Sequence, residues 1–123
     1  MNAQIADERK LNLAKFFILM GAARYSETKV VAEMLDEGVT VNITAADVDA
    51  EGFNRDTEAA TMDKADTPLL YAVRHNANFA MIKFLVERGA NVNARDSSNQ
   101  TALMIAKEKG REDTVYLLET TIA

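Results

Sequence analysis

One stretch of this chain is written twice. Residues 67–93 open with Thr67-Pro68-Leu69-Leu70-Tyr71-Ala72, continue through Ile82-Lys83-Phe84-Leu85 and close on Gly89-Ala90-Asn91-Val92-Asn93. The chain then reads Thr101-Ala102-Leu103-Met104-Ile105-Ala106 and, further on, Val115-Tyr116-Leu117-Leu118. Thr67 and Thr101 lie 34 positions apart, and so do Ala72 and Ala106. A period of this length marks a small supersecondary unit that cannot bury its apolar face alone, so the copies must stack. Each copy opens as a helix does. Thr67 suits the N-cap, and Pro68 suits the first helical position, where a missing N–H costs nothing. The spacing predicts helices over about 68–76 and 78–88, repeated over about 102–109 and 112–119. Leu69, Ala72, Ile82 and Leu85 are the expected core.

A weaker copy lies upstream. Phe17-Ile18-Leu19-Met20-Gly21-Ala22 stands where the Thr-Pro box should be, and Gly38-Val39-Thr40-Val41-Asn42 matches Gly89-Ala90-Asn91-Val92-Asn93. Apolar residues at helical spacing predict a first helix over about 12–25. Ser26 is the expected N-cap of the next helix, followed by Glu27 at its positive end, and Gly38 is expected to stop it with a left-handed residue. Gly38 and Gly89 are 51 apart, so about 18 residues are inserted relative to a period near 33.

A box of the form T-P-L-x-x-A recurring at this period resembles the ankyrin-repeat family. The resemblance covers residues 12 to about 119. It implies an all-α fold: a short solenoid of helix-turn-helix units with β-turn fingers, forming a single domain over residues 1–123. The repeats would span about 12–42, 66–93 and 99–121, with an acidic finger insertion over about 43–65. Three repeats are about the minimum for stability. Terminal repeats need one polar face, and Glu112 and Thr114 stand where inner repeats carry apolar residues, as expected of a C-terminal cap.

Composition bounds the function. With 48% hydrophobic residues in 123 positions the chain reads as one folded domain. It has no cysteine, which excludes disulfides, thiolate metal sites and cysteine nucleophiles. The N-terminus lacks the basic start of a signal peptide, and Phe16-Phe17-Ile18-Leu19-Met20 is too short to span a bilayer. The expectation is a cytoplasmic protein with no membrane contact, although a secreted effector without a classical signal is also compatible. The net charge is −5. Between Thr44 and Asp66 the acids Asp47, Asp49, Glu51, Asp56, Glu58, Asp63 and Asp66 outnumber Arg55 and Lys64 by that same amount. With no basic face, nucleic acid is not expected as a partner.

In the ankyrin family the partner-binding surface comprises the fingers and the concave face of the first helices. The resemblance places Arg24 and Tyr25, Arg74 and His75, and Glu108 and Lys109 on that face. It places Arg95, Asp96, Ser97, Ser98 and Gln100 on the finger between the second and third repeats. Asn99 stands there where the family has Gly, and Asn tolerates positive φ. Taken singly these are solvated positions; as a surface they gain weight, because Tyr and Arg are enriched at interface hot spots. Tyr25, Arg74 and Arg95 are expected to contribute little to the core.

The insertion offers two further readings. Asp47-Val48-Asp49-Ala50-Glu51-Gly52 with Glu58 at the twelfth position is similar to an EF-hand calcium loop, with candidate ligands Asp47, Asp49, Glu51 and Glu58. Asn54 stands at the eighth position instead of a branched apolar residue, and the flank Val39-Thr40-Val41-Asn42-Ile43-Thr44 reads as strand-like and not as an EF helix. The segment also reads as an extended recognition finger, with Asp47, Asp49, Glu51, Phe53 and Asp56 as contacts. Phe53 is then either an anchor packed back onto the repeats or an exposed hot spot. Long irregular insertions are commonly functional. Catalysis has little support: His75 is the only histidine, and neither a G-x-S-x-G turn nor a phosphate loop is present.

These residues point to a non-enzymatic protein-binding module without cofactors, acting as adaptor or inhibitor. Its acidic finger would steer it toward a basic patch on another protein. A calcium-responsive binding protein and an acidic mimic of nucleic acid are the alternatives. The oligomeric state is open.

Overall fold

A computed structural model of the chain describes residues 14–44, 47, 63 and 65–122. Six helices and no strand occur among the described residues: α1 at 14–24, α2 Thr28–Asp36, α3 Pro68–Arg74, α4 Phe79–Glu87, α5 Ala102–Glu108 and α6 Glu112–Ile122. They pair into three helix-turn-helix units. The first helices stack on one another, α3 on α5, and the second helices do the same, α4 on α6. This is the all-α solenoid that the period requires.

The helix starts are where the sequence puts them. Thr67 Oγ1 accepts from the Leu70 N–H at 3.3 Å, Asn78 Oδ1 from Met81 N–H at 2.9 Å, and Thr101 Oγ1 from Met104 N–H at 3.3 Å. Each cap satisfies one N–H that the first helical turn cannot. The stops repeat as well. The N–H groups of Glu27, Ala77 and Arg111 donate to the carbonyls of Ala22, Ala72 and Ala106 at 2.8, 2.9 and 3.1 Å. One residue before each donor the chain turns left-handed: Ser26 at φ 61°, Asn76 at 63° and Gly110 at 68°. Asn99 has the positive φ expected of it, 66°, and Gly38 likewise, at 101°.

The core is continuous through the stack. Phe16, Leu19, Val31, Leu69, Met81, Ile82, Leu85 and Leu118 are all buried, with Ala72 and Ala106 where helices approach closely. Full burial of this aliphatic set supplies the main folding free energy, about 25 cal/mol for each Å² of apolar surface removed from water.

Three sequence expectations are corrected. Ser26 does not cap its own helix. The N-cap of α2 is Glu27, without a side-chain bond, and Ser26 Oγ instead accepts from the Asn78 N–H of the next repeat at 2.8 Å. The flank 39–44 is no strand but a turn, closed by Ile43 N–H to the Thr40 carbonyl at 3.1 Å. Thr114 is fully buried and does not belong to a polar end face. Its hydroxyl donates to Asp113 Oδ1 at 3.2 Å, which allows it to sit where a larger apolar residue would otherwise pack. Glu112 is exposed, as an end face requires.

Candidate functional site

Stacking places equivalent residues of successive repeats side by side. Arg24, Arg74 and Glu108 stand two residues beyond Ala22, Ala72 and Ala106 at the ends of the three first helices, with Tyr25, His75 and Lys109 next to them. In the first repeat this produces an exposed aromatic. Tyr25 is 67% exposed, and the Arg24 guanidinium lies over its ring at 5.3 Å from the centroid. Arg24 Nη1 also reaches the Tyr71 hydroxyl at 3.4 Å, and Tyr71 packs against His75 with ring centroids 4.4 Å apart. Arg24 thus links the exposed Tyr25 to the buried Tyr71 of the next repeat. A guanidinium over a ring keeps the ring in place without burying it.

The second repeat uses its arginine differently. Arg74 donates to Asp66 and, at 2.7 Å, to Asp96. The Asp66 and Asp96 side chains are 1% and 4% exposed. Asp96 Oδ1 also accepts from the Ser98 and Gln100 N–H groups, both at 2.9 Å, which shapes the finger. Asp63 holds the finger from its other side: its carboxylate accepts from the Ser97 hydroxyl at 2.6 Å and the Ser97 N–H at 3.0 Å. Burial pushes Asp66 up to about 6, against the pull of Arg74 and with a further push from Asp63 and Asp96. Burial also favours a raised value for Asp63, but bonds from Ser97 and Ala65 outweigh it and hold that carboxyl below the usual carboxylate range. Burial works against the charge on Arg74, yet Asp66, Asp96 and Asp63 together keep its pKa above the ordinary arginine value.

Arg74 and Asp96 therefore depart from the sequence expectation. The resemblance puts Arg74 on the concave face and Asp96 on the finger, with Arg74 contributing little to the core. The half-buried Arg74 instead pairs with two buried carboxylates and joins the second first-helix to the finger. Asp63, expected in the acidic insertion, joins Asp66 of the second repeat in this cluster and bonds Ser97 of the finger. The three carboxylates bring one oxygen each within 4.8 Å of one another, a spacing suited to a cation. Arg74 is the cation that serves them. The signal that could have found the cluster is the placement of Asp66 immediately before the Thr-Pro box and of Asp96 in the finger one repeat later.

The remaining candidates are exposed or half-buried. Arg95, Ser97, Ser98, Glu108 and Lys109 are exposed, while His75 and Gln100 are half-buried. Arg95 donates to the Asn99 carbonyl at 2.9 Å, and Gln100 Nε2 to Glu108 Oε1 at 2.9 Å. Asp47 Oδ2 accepts from both the N–H and the hydroxyl of Thr44, so its described role is to close a turn. Asp49, Glu51, Phe53, Asp56 and Glu58 lie outside the described residues, and with them the rest of the calcium-like loop.

Sequence reasoning missed the residues that tie one repeat to the next. Asn42 accepts from the Asn91 N–H at 2.8 Å and donates to the Gly89 carbonyl at 3.3 Å. Arg111 donates to the Ala77 carbonyl, one repeat earlier, at 2.5 Å. A family model for ankyrin repeats, made of three copies, matches residues 19–122. The chain belongs to the ankyrin-repeat family. Ankyrin repeats generally mediate protein–protein interaction and are typically binding modules without enzymatic activity. No helix among the described residues is long and apolar enough to cross a membrane.

Proposed function

We propose that this ankyrin chain is a non-enzymatic adaptor or inhibitor that binds another protein through its first-helix ends and its finger. The observation that carries the proposal is Tyr25, a large aromatic held outward under Arg24. Tyrosine offers wide contact area at low entropic cost, and Tyr and Arg dominate interface hot spots. Arg24, His75, Arg95, Ser97, Ser98, Gln100, Glu108 and Lys109 complete the surface. Because the repeats hold these groups on a packed scaffold, little ordering entropy is lost on binding. The acidic residues of the insertion, Asp47, Asp49, Glu51 and Asp56 with Phe53 among them, steer the module toward a basic patch on its partner.

The experiment is affinity capture from lysate with the wild-type chain, the triple variant Tyr25→Ala/Arg95→Ala/Lys109→Ala, and a chain with residues 48–62 replaced by a short Gly-Ser turn. Capture is run at low and high salt. A partner retained by the wild type, lost by the triple variant and weakened by salt or by the deletion supports the reading. A partner held equally by all three chains places the interaction elsewhere. The deletion stops before Asp63 because that carboxylate anchors the finger. Shortening a surface loop changes closure entropy little, so the repeats should still fold.

A further inference from the structure

The cluster beneath the finger is unevenly supplied. Among the described residues three carboxylates surround one guanidinium, so with every one of these groups ionised they carry an excess of two negative charges. Asp63 and Asp96 each accept hydrogen bonds at both carboxylate oxygens. Asp63 Oδ1 takes bonds from the Ser97 hydroxyl and the Ala65 N–H, and Oδ2 from the Ser97 N–H. Asp96 Oδ1 takes two backbone N–H groups, and Oδ2 takes Arg74. Asp66 differs. Its Oδ2 accepts from Arg74, but its Oδ1 is buried without a hydrogen-bond partner among the described residues. A buried carboxylate with one bare oxygen, facing two other carboxylates, is a costly place for negative charge.

We propose that Asp66 is the proton-holding member of this junction, so that the second repeat grips the finger at 95–100 more firmly when Asp66 is protonated and less firmly when it ionises. Protonation removes one negative charge from the excess and leaves Arg74 to Asp96 and Asp63. The finger hangs on those two residues, through Ser97, Ser98 and Gln100. The elevation of the Asp66 pKa to about 6 is consistent with this geometry. An unfolded Asp ionises near 3.8. Between these values the folded chain holds a proton that the unfolded chain has lost. Stability from this group therefore rises as pH falls from above 6 toward 3.8, and declines as pH rises through 6. Asp63 works in the opposite sense: its depressed pKa adds stability that is lost only as pH falls below the ordinary Asp range. Among the described residues the charged groups facing Asp66 are Asp63 before α3, Arg74 on α3 and Asp96 in the finger. The proposal concerns the scaffold and holds whether or not the finger meets a partner.

Carboxyl carbon NMR on the intact chain tests it directly. The expected midpoint for Asp66 lies above 5; a midpoint at or below 5 overturns the proposal. Thermal unfolding of the wild type and of Asp66→Asn at pH 7.5 and 5.5 supplies the second reading. Relative to the variant, the wild-type folding equilibrium should shift toward the native state by about fourfold between pH 7.5 and 5.5. Amide exchange at Ser98 and Gln100, corrected for intrinsic rate, should slow over the same interval in the wild type only. If Asp66→Asn instead lowers stability equally at both pH values, Asp66 is an ordinary ionised partner of Arg74 and the latch does not exist.

Discussion

Arg24 and Arg74 occupy the same place in successive repeats, two residues beyond Ala22 and Ala72, at the end of a first helix. One lies over an exposed tyrosine; the other is clasped by buried carboxylates. Their neighbours make the difference. Asp66 precedes the second helix pair, and Asp96 follows it in the finger, so the half-buried Arg74 lies between two buried carboxylates. Arg24, half-buried as well, meets the exposed Tyr25 ring and the Tyr71 hydroxyl. Register thus assigns each residue a place in the solenoid, and the local supply of counter-charge assigns its work. One arginine becomes part of the scaffold, the other part of a face.

The two junctions between repeats differ in the same way. The first is sewn by neutral bonds, Ser26 with Asn78 and Asn42 with Gly89 and Asn91, and by an exposed ion pair between Arg88 and Asp36 at 3.4 Å. The second rests on the Asp66–Arg74–Asp96 cluster and on Arg111 reaching back to Ala77. Charge is concentrated at the second junction, and pH and mutation should act most strongly there.

The largest effect expected is from Arg74→Ala. It strands buried carboxylates, and breaking such a pair costs about 3–5 kcal/mol. Chemical denaturation of wild type and variant measures it; an unchanged midpoint would mean that the cluster is not a structural element. Leu85→Ala, in the apolar core shared by both junctions, should cost about 2–5 kcal/mol. In so short an array the loss should appear as one cooperative transition, because no repeat stands alone. A two-step melt would show that the repeats are coupled less than their packing implies. Arg111→Ala removes a charged bond to a carbonyl and should cost about 1.5–3 kcal/mol, read by the same denaturation series. Arg24→Ala, the counterpart of Arg74→Ala, should cost less than Arg74→Ala, since the ring it covers is exposed and its bond to the Tyr71 hydroxyl is long, at 3.4 Å. Equal losses at positions 24 and 74 would dissolve the distinction between them.

The period carried most of the fold in plain view. Thr67, Asn78 and Thr101 are caps whose side chains suit no other role so well, and Leu69, Ala72, Ile82 and Leu85 recur at helical spacing, so burial follows. Asn99 could be read as a left-handed residue because it replaces a glycine. What stayed hidden depends on contacts distant in sequence. Arg74 and Asp96 are 22 residues apart, and no local pattern distinguishes an arginine that will meet buried carboxylates from one that will lie over an exposed ring. Thr114 misled for the opposite reason. A hydroxyl reads as polar, yet it can be buried once it finds a partner. Ser26 looked like a local cap, but its oxygen serves the neighbouring repeat, 52 positions away. Of the candidate face, Tyr25 was legible as an aromatic beyond a helix end. Its outward orientation follows from the stacking of Arg24, which the sequence does not declare.

The division of labour between face and scaffold is tested most directly by Tyr25→Ala, with partner affinity and melting temperature measured on the same preparation. The account predicts a tenfold or greater loss of affinity, as for a hot-spot aromatic, with the melting temperature unmoved. Unchanged affinity, or a fall in stability that accounts for the whole loss of binding, would contradict it.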